Sequence, residues 1–387
     1  MGLRAKMRVA SLRQQDRKFI GRDAPALDVA VVGAEGSILR DARGRTFIDF
    51  MSGWCCGNLG WSHPEIRARM QRYSGPDYAP PSMMYPPWIE CAKLLAELTP
   101  GRLERCYRAT TGTEAVELAM QIARALTGRD KFLSVEDDYH GNSIAVKSIG
   151  HRLKLPLDGR ALSRLERALE HEQVAAVILE PIITNLAVEI PTAEFMTGAV
   201  DMCRQYGTLF VADEVATGFG RTGAVFACEH YGLEPDILCV AKALTNGAAP
   251  MGATITTAAI ADTVDELEIY ATFGWHPIAC EAALVVLETW HRDSDILLAQ
   301  VAERSAQFSD RFAEMKLPEG TDVRIQGLAI GIDLPADTDA EEIVGSCQER
   351  GLIISGEDGQ LSIFPPLTID RKTADAGLDI LASQLEV

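Results

Sequence analysis

The feature that most constrains the fold of this chain is the alternation of short apolar runs with helical patterns from about residue 102 onward. This alternation is typical of a mainly parallel sheet covered by helices on both faces. The predicted helices cover residues 111–126, 161–170 and 193–205. The predicted strands are residues 106–109, 131–135, 174–179, 208–212, 237–241 and 252–256. The sequence therefore predicts an α/β fold with this sheet at its centre.

The segments on either side of this block have different patterns. Residues 37–50 resemble a hairpin that turns at residues 42–44, and a helix is predicted to start at residues 63–65. A further helix is predicted from Pro277 to about Thr289, followed by strand-like residues 323–334 and 360–365. We therefore expect residues 1–60 to form an N-terminal arm and part of a small domain. Residues 61–285 would form a large α/β domain, and residues 286–387 the C-terminal part of the small domain.

The charge balance limits the partners of the chain. Its 37 basic and 55 acidic residues give a net charge of −18, which disfavours nucleic acid and anionic membrane surfaces. A hydrophobic content of 47% is enough for a substantial core in a chain of 387 residues. We expect partners that are small molecules or other proteins.

The cysteine pattern and the termini predict a cytoplasmic protein. The nine cysteines form no C-x-x-C pair, and no apolar run approaches the roughly 18 residues that a membrane-spanning helix needs. The basic residues 1–22 lack the apolar centre of a signal peptide. We expect this basic arm to pack on a partner subunit.

Three predicted strands end in ionisable side chains, namely Glu180, Asp213 and Lys242. In an open α/β sheet, ligands bind at the carboxyl ends of the strands, so these side chains could face one crevice. An amine that is desolvated by apolar neighbours loses part of its preference for the charged form, and a neutral amine can attack a carbonyl to form a Schiff base. Together the three predict carbonyl or amine chemistry. Taken singly, each also fits a helix cap or a solvated loop charge.

Two short motifs could bind parts of a ligand. Gly112 and Thr113 follow Thr111 at the start of a helix, where free amides can hold a phosphate or simply form a cap. Tyr139, His140 and Gly141 follow a strand, and an aromatic ring there could stack on a planar ligand or be structural.

A glycine-rich loop formally matches a dinucleotide-binding fingerprint. Gly218, Gly220 and Gly223 have the G-x-G-x-x-G spacing after a strand. Phe219 and Arg221 fill the loop, however, and the residues that follow make a poor first helix for a nucleotide-binding half. We therefore interpret the glycines as tight-turn residues.

Together these stretches resemble the class III pyridoxal-phosphate-dependent aminotransferases, from about Gly36 to Ile369. The local stretch DEVATGFGRTG at residues 213–223 is especially similar to diaminopelargonic acid synthase, the biotin-pathway subgroup (adenosylmethionine-8-amino-7-oxononanoate aminotransferase). The stretches that carry the resemblance are residues 110–131, 139–141, 178–182, 209–223, 234–253, 271–284 and 364–369.

The resemblance implies fold type I, with a mainly parallel seven-stranded sheet in a large domain and a small α+β domain from both chain ends. It implies pyridoxal 5′-phosphate as cofactor and a homodimer with shared active sites. An amino group would pass from a small-molecule donor to a keto or aldehyde acceptor by a ping-pong mechanism.

The same resemblance assigns roles to individual residues. Lys242 would hold the cofactor as a Schiff base (the internal aldimine) and shuttle a proton, and Asp213 would pair with the pyridine nitrogen. The phosphate would be held by Thr111, Gly112 and Thr113, and by Thr272 of the other subunit. The ring faces and the rest of the cofactor site would be formed by Tyr139, Val215, His140 and Glu180.

Three departures from the family pattern bear on the substrate. Ser362 and Ser355 stand where relatives have arginines that clasp a carboxylate, and only 39 residues separate His140 from Glu180, a shorter excursion than in relatives. We therefore hypothesise a bulky or extended substrate, of the kind found in specialised metabolism, contacted by Trp54, Tyr85 and Ser355. A core position for Trp54 is the alternative.

Other functions are weighed against the aminotransferase. A 2,1-aminomutase of the glutamate-1-semialdehyde type shares the fold and would move an amino group within one substrate. A nicotinamide-dependent dehydrogenase would rest on the glycine-rich loop alone. A non-catalytic binding protein on the same scaffold would be expected to lack Lys242 or Asp213, and both are present.

Overall fold

A computed structural model describes residues 12–22, 27–150, 152–171, 173–264 and 266–385. Half of the predicted basic arm, residues 1–11, lies outside these ranges. The strands are β1 Val31–Glu35, β2 Ile38–Asp41, β3 Thr46–Asp49, β4 Leu103–Ala109, β5 Lys131–Val135, β6 Arg152–Leu153, β7 Val174–Leu179, β8 Leu209–Asp213, β9 Ile237–Val240, β10 Gly252–Thr257, β11 Asp322–Gln326, β12 Ala329–Asp333, β13 Leu352–Ile353, β14 Ser355–Glu357 and β15 Gln360–Ile363.

The helices surround and connect these strands. Two short 3₁₀ segments also occur, at Ala227–Tyr231 and Lys242–Thr245. The α-helices are α1 (residues 12–19), α2 Ser52–Cys55, α3 Pro64–Gln71, α4 Pro86–Leu98, α5 Gly112–Thr127, α6 Ile144–Lys147, α7 Gly159–His171, α8 Ala193–Tyr206, α9 Ala258–Thr263, α10 Pro277–Glu314, α11 Ala340–Arg350 and α12 Arg371–Leu385.

The core of the protein is a seven-stranded sheet in the order β4-β10-β9-β8-β7-β5-β6. Its strands run parallel except for β10, which is antiparallel to both of its neighbours. All six residues of β7 are buried, as expected for a central strand with helices on both faces. The predicted α/β fold with a mainly parallel sheet is confirmed.

Helix α5 begins beside the carboxyl ends of the parallel strands, and its start is well marked. The Thr111 hydroxyl accepts a hydrogen bond from the Glu114 amide at 3.2 Å, which satisfies one free donor of the first turn. The Glu114 carboxylate accepts from the amide of Thr110 at 2.5 Å. The helix ends at Gly128, whose φ of 66° is the left-handed conformation that glycine adopts easily.

Two smaller four-stranded sheets are formed by the ends of the chain. One has the order β1-β2-β3-β13, and its strand β13 pairs parallel with β3, so residues from both chain ends share it. The other has the order β11-β12-β15-β14. The domain boundaries at residues 60 and 285 stay predictions, and residue 285 falls inside the continuous helix α10.

Helix α10 is much longer than its sequence pattern suggested. The predicted end near Thr289 is wrong, because the helix continues for 38 residues to Glu314. After Pro277 the helix contains neither glycine nor proline, so the polar stretch HRDSD at residues 291–295 is tolerated on an exposed face. These polar residues interrupt the apolar pattern, so the sequence pattern did not show that the helix is continuous.

Residues 323–334 form a hairpin instead of one strand-like piece. Strands β11 and β12 pair antiparallel across a turn at Gly327, whose φ is 60°. A side chain at Gly327 would lie 2.3 Å from the backbone carbon of Thr222, so only glycine fits there. None of the helices among the described residues combines the length and the apolar character of a membrane span.

Candidate active site

The three ionisable residues at strand ends line one cavity of about 440 Å³. Glu180 follows β7, Asp213 is the last residue of β8, and Lys242 lies two residues after β9. Because β7, β8 and β9 are parallel neighbours, their carboxyl ends meet at one edge of the sheet. The predicted crevice is therefore present.

Lys242 is presented by a short, anchored turn. Its φ of 43° lies in the left-handed region, which costs a non-glycine residue free energy and is found mostly at functional sites. The turn ends at Asn246, whose side chain accepts from the Leu59 amide at 2.8 Å and donates to the Gly60 carbonyl at 2.7 Å. The Lys242 amine makes no hydrogen bond or ion pair to the described residues, so it is available to a ligand.

The carboxylate of Asp213 is held at both oxygens. Oδ1 accepts the Val215 amide at 3.1 Å, and Oδ2 lies 2.7 Å from Nδ1 of His140. Only 2% of Asp213 is exposed. The carboxyl group of Asp213 is thus held in place where it lines the cavity.

His140 lies between two carboxylates. Besides Asp213, the Oδ2 atom of Asp138 is 3.2 Å from its Nε2, and the Ser134 hydroxyl is 2.6 Å from the same nitrogen. Burial opposes the charged imidazole, but the two carboxylates outweigh it and hold the pKa of His140 well above its usual value. Sequence reasoning did not single out Asp138, although its place two residues before His140 put it within reach.

Glu180 is a buried acid with local hydrogen bonds. Its carboxyl accepts from the Thr184 amide at 2.6 Å and from the Thr184 hydroxyl at 3.0 Å. Burial raises the pKa of Glu180 well above its usual value, with further contributions from Asp138 and Asp213, while Lys242 opposes the shift. A neutral Glu180 would relieve the repulsion among the three acids.

The start of helix α5 contributes further polar groups to the same cavity. Gly112 and Thr113 line the cavity at the end of the helix where the amides are free and the dipole is positive. A side chain at Gly112 would come within 2.8 Å of Val215 Cγ1, so the close approach requires glycine. The Thr113 hydroxyl accepts from the Asn142 amide at 3.2 Å, which joins this helix end to the loop that carries Tyr139.

Tyr139 and Val215 supply the apolar lining next to these polar groups. The Tyr139 side chain is 57% exposed at the rim of the cavity, and its amide donates to Asp138 Oδ1 at 2.8 Å. Sequence reasoning assigned no role to Cys56 or to residues 247–251, which also line the cavity. The sequence signal that could have identified residues 247–251 as cavity residues is their closeness to Lys242 in the chain.

The other predicted site residues lie outside this lining. Thr272 is exposed on the single chain, and Trp54 is 46% exposed, which excludes a core position for its side chain. Tyr85 lines a separate cavity with Tyr73, and their hydroxyls are 3.3 Å apart. Ser355 is half-buried on β14, directly opposite Ser362 of β15.

The glycine-rich loop is held by hydrogen bonds to other segments of the same chain. Arg221 is fully buried, and its guanidinium donates to the carbonyls of Leu328 and Pro365 at 2.9 and 2.6 Å and to Asn58 Oδ1 at 2.7 Å. The buried guanidinium therefore ties the loop to other segments of the chain. The interpretation of these glycines as turn residues agrees with this packing.

The fold and the cavity define a pyridoxal-phosphate-dependent transferase, with a lysine after one strand, an aspartate at the end of the neighbouring strand and the start of a helix in the same cavity lining. The profile of the family described as "Aminotransferase class-III" matches residues 19–155 and 157–385. The chain belongs to the class III aminotransferase family and is an enzyme that transfers amino groups with pyridoxal phosphate as cofactor.

Known relatives resemble the chain over nearly its whole length. An acetylornithine aminotransferase of Archaeoglobus fulgidus is 30% identical over 382 residues, which cover 95% of this chain and 98% of the relative. An omega-aminotransferase of Caulobacter vibrioides is 30% identical, with 88% and 90% covered. A crystal structure of a Bacillus anthracis aminotransferase superposes with a TM-score of 0.89 at 26% identity and covers 99% of both chains.

Proposed function

We propose that the protein moves an amino group from a small-molecule amine or amino acid to a keto or aldehyde acceptor in two half-reactions, with Lys242 as the reacting amine. The observation that carries this proposal is that Lys242, Asp213 and the start of α5 line one cavity. The reaction is proposed to take place in the cytoplasm, the location that the sequence features predict.

The residues of the cavity fit pyridoxal phosphate. Gly112 has no side chain between the helix start and Val215, and the free amides of the first turn can bind a phosphate. Thr111 and Thr113 lie beside Gly112 in the cavity lining. Asp213 is an anion suited to a pyridine nitrogen, and Lys242 is an amine without another partner in the described residues. When bound, pyridoxal phosphate supplies an aldehyde and a ring that withdraws electrons from the amine-bearing carbon.

Side chains of the protein would carry out the remaining steps of the reaction. The Lys242 amine would act as nucleophile and then carry a proton at Nζ to and from the substrate carbon. Asp213, fixed by Val215 and His140, would keep a positive charge at the ring nitrogen. Tyr139 and Val215 would flank the ring, and Glu180 would orient the site.

A homodimer with shared active sites is part of this proposal. The segment around Thr272 carries two exposed apolar side chains, Tyr270 at 67% and Phe273 at 58% exposure. Tyr78 packs edge-on against Phe273 with ring centroids 6.0 Å apart. Covering such side chains with a second copy would stabilise the dimer and place Thr272 at the partner's phosphate site.

The substrate side of the site supports a donor that is not gripped by arginine. The positions where relatives have arginines are Ser355 and Ser362, and the structure shows that these two serines are cross-strand neighbours. No arginine is among the described residues that line the cavity. We therefore propose a bulky or extended substrate, with Trp54, Tyr85 and Ser355 as tentative contacts.

Acetylornithine is a second candidate donor, because several relatives at 29–30% identity are named acetylornithine aminotransferases. These relatives and the omega-aminotransferase are all named for transamination, so their names give no support to the aminomutase alternative.

A donor screen on the purified enzyme tests the substrate proposal. N-acetylornithine, glutamate and bulky amines without a carboxylate are offered separately, and the loss of the yellow colour of the bound cofactor is followed with the keto product. We expect the bulky amines to react with a kcat/KM at least equal to that of N-acetylornithine. A preference of more than tenfold for the carboxylated donors would overturn the substrate proposal.

Ser355→Arg is a sharper version of the same screen. Because Ser355 is half-buried on an edge strand, an arginine can be accommodated there, and its guanidinium can form a bidentate pair with a carboxylate. We expect the kcat/KM for carboxylated donors to rise several-fold relative to that for bulky amines. Ser355→Ala serves as the control that changes the side chain without adding charge.

A further inference from the structure

Asp138 is a buried carboxylate that has no role in the function proposed above. It is 9% exposed as a residue, and its side chain is 0% exposed. Oδ1 accepts the Tyr139 amide at 2.8 Å, whereas Oδ2 forms no hydrogen bond. A buried carboxylate oxygen without a donor is costly unless a positive charge lies close to it.

The only ring nitrogen within ion-pair distance of that oxygen belongs, within the described residues, to His140. Nε2 of His140 is 3.2 Å from Asp138 Oδ2, and Nδ1 is 2.7 Å from Asp213 Oδ2. A carboxylate can only accept, so Nδ1 must carry a proton to donate to Asp213. The state of His140 therefore depends on whether Nε2 also carries one.

The surroundings of Nε2 favour the second proton. Without it, Nε2 would be an uncharged acceptor for the Ser134 hydroxyl at 2.6 Å, and Asp138 Oδ2, 3.2 Å from Nε2, would be buried with neither a hydrogen bond nor an opposite charge beside it. With it, the imidazolium lies between two carboxylates, and the Ser134 hydroxyl at 2.6 Å can accept from Nε2. The raised pKa of His140 agrees with this geometry.

We infer that Asp138 is a positioning residue that keeps His140 doubly protonated, so that Asp213 always faces an imidazolium. Asp138 does not line the cavity beside Lys242, and it acts through His140. This inference rests on the proposed function in its consequence for catalysis, but the protonation of His140 is a property of the protein itself.

The consequence is a site whose charge does not change around neutral pH. An isolated histidine titrates near pH 6.5, so the group behind Asp213 would otherwise lose its charge in the working range. The other titratable groups near His140 in the described residues are Glu180 and Lys242 in the cavity, and Asp137 and Lys147, which line a second, smaller cavity with His140. With Asp138 in place, Asp213 keeps a charge-assisted hydrogen bond across that range.

The test is a pH titration of the histidine side chains by nitrogen NMR on the holoenzyme without substrate. The His140 signal is identified by its loss in His140→Gln. We expect His140 of the wild-type protein to remain doubly protonated from pH 6 to pH 8, and that of Asp138→Asn to lose a proton within that range. Asp137→Asn is the matched control, since it makes the same change one residue earlier at an exposed position with a φ of 64° that asparagine tolerates.

Two results would overturn the inference. One is a wild-type His140 that titrates near pH 6.5, and the other is an Asp138→Asn protein that titrates like the wild type. The wild-type titration decides even when Asp138→Asn does not fold.

Activity is then measured separately. We expect the kcat of Asp138→Asn to fall several-fold between pH 6 and pH 8 where that of the wild type does not. An absence of transamination in every variant would refute the proposed function and leave the titration result unaffected.

Discussion

The two sides of the active site are built in different ways. The cofactor side consists of Glu180, Asp213, Lys242 and the start of α5, which line one cavity. The proposed substrate side consists of Trp54, Tyr85, Ser355 and Ser362, which lie outside that lining. On the cofactor side the strands hold the side chains in register, with Leu179 opposite Ala212 and Asp213 opposite Cys239. The fixed hydrogen-bonded ladder leaves these groups little freedom.

The substrate side is assembled from irregular and edge segments. The residues around Trp54 have left-handed backbone conformations, with φ values of 44° at Ser52, 57° at Trp54 and 64° at Cys55. Strand β14, which carries Ser355, is an edge strand of three residues. The difference teaches that the sheet holds the side chains of the cavity in place, while the proposed substrate contacts stand on segments that can vary without disturbing the sheet.

Among the variants that test the difference between the two sides, we expect the largest effect on turnover at Lys242. We expect Lys242→Ala to abolish turnover, because no other described residue brings an amine into the cavity, and to leave the fold and the dimer intact. Turnover by product release, borohydride labelling and size-exclusion chromatography measure these outcomes. Lys372→Ala, at an exposed position of α12, is the control. Near-normal turnover of Lys242→Ala would refute the assigned role.

The next largest effect is expected at Asp213. Asp213→Asn keeps the shape of the side chain but removes the anion, and we expect kcat to fall by roughly 10³-fold, in the range of catalytic electrostatic effects. Steady-state rates with a saturating donor measure it. Asp201→Asn on the exposed face of α8 should change nothing. A loss of less than tenfold would mean that the ring nitrogen is held by another group.

A smaller effect sharpens the comparison at the phosphate end of the cofactor side. In Gly112→Ala the added carbon would lie 2.8 Å from Val215 Cγ1, and we expect pyridoxal phosphate to bind about tenfold more weakly, since overpacking typically costs about 1–3 kcal/mol. Fluorescence titration of the cofactor-free enzyme gives the dissociation constant. Gly345→Ala in α11, where an added carbon meets nothing within 4 Å, is the matched control. Equal affinities for the two variants would show that the approach at Gly112 is not close.

The sequence by itself determined the central sheet and the cofactor side. Apolar runs such as β7 are buried on both faces, and the ionisable residue after each run falls at the same edge because parallel strands repeat one geometry. The likeness to class III aminotransferases was likewise carried by contiguous stretches, and the family match confirms it. The local sequence pattern was sufficient to predict a site residue wherever that residue lies at the end of a strand or just after it.

Only the tertiary structure decided the rest. It extended α10 through a polar stretch, set Ser355 opposite Ser362, and placed the buried carboxylate of Asp138 against the far nitrogen of His140. These relations join residues through strand pairing or through side-chain burial, and neither leaves a period in the sequence. A sequence pattern shows which residues can be buried. Which charged side chains lie next to each other in the interior is determined by the tertiary packing.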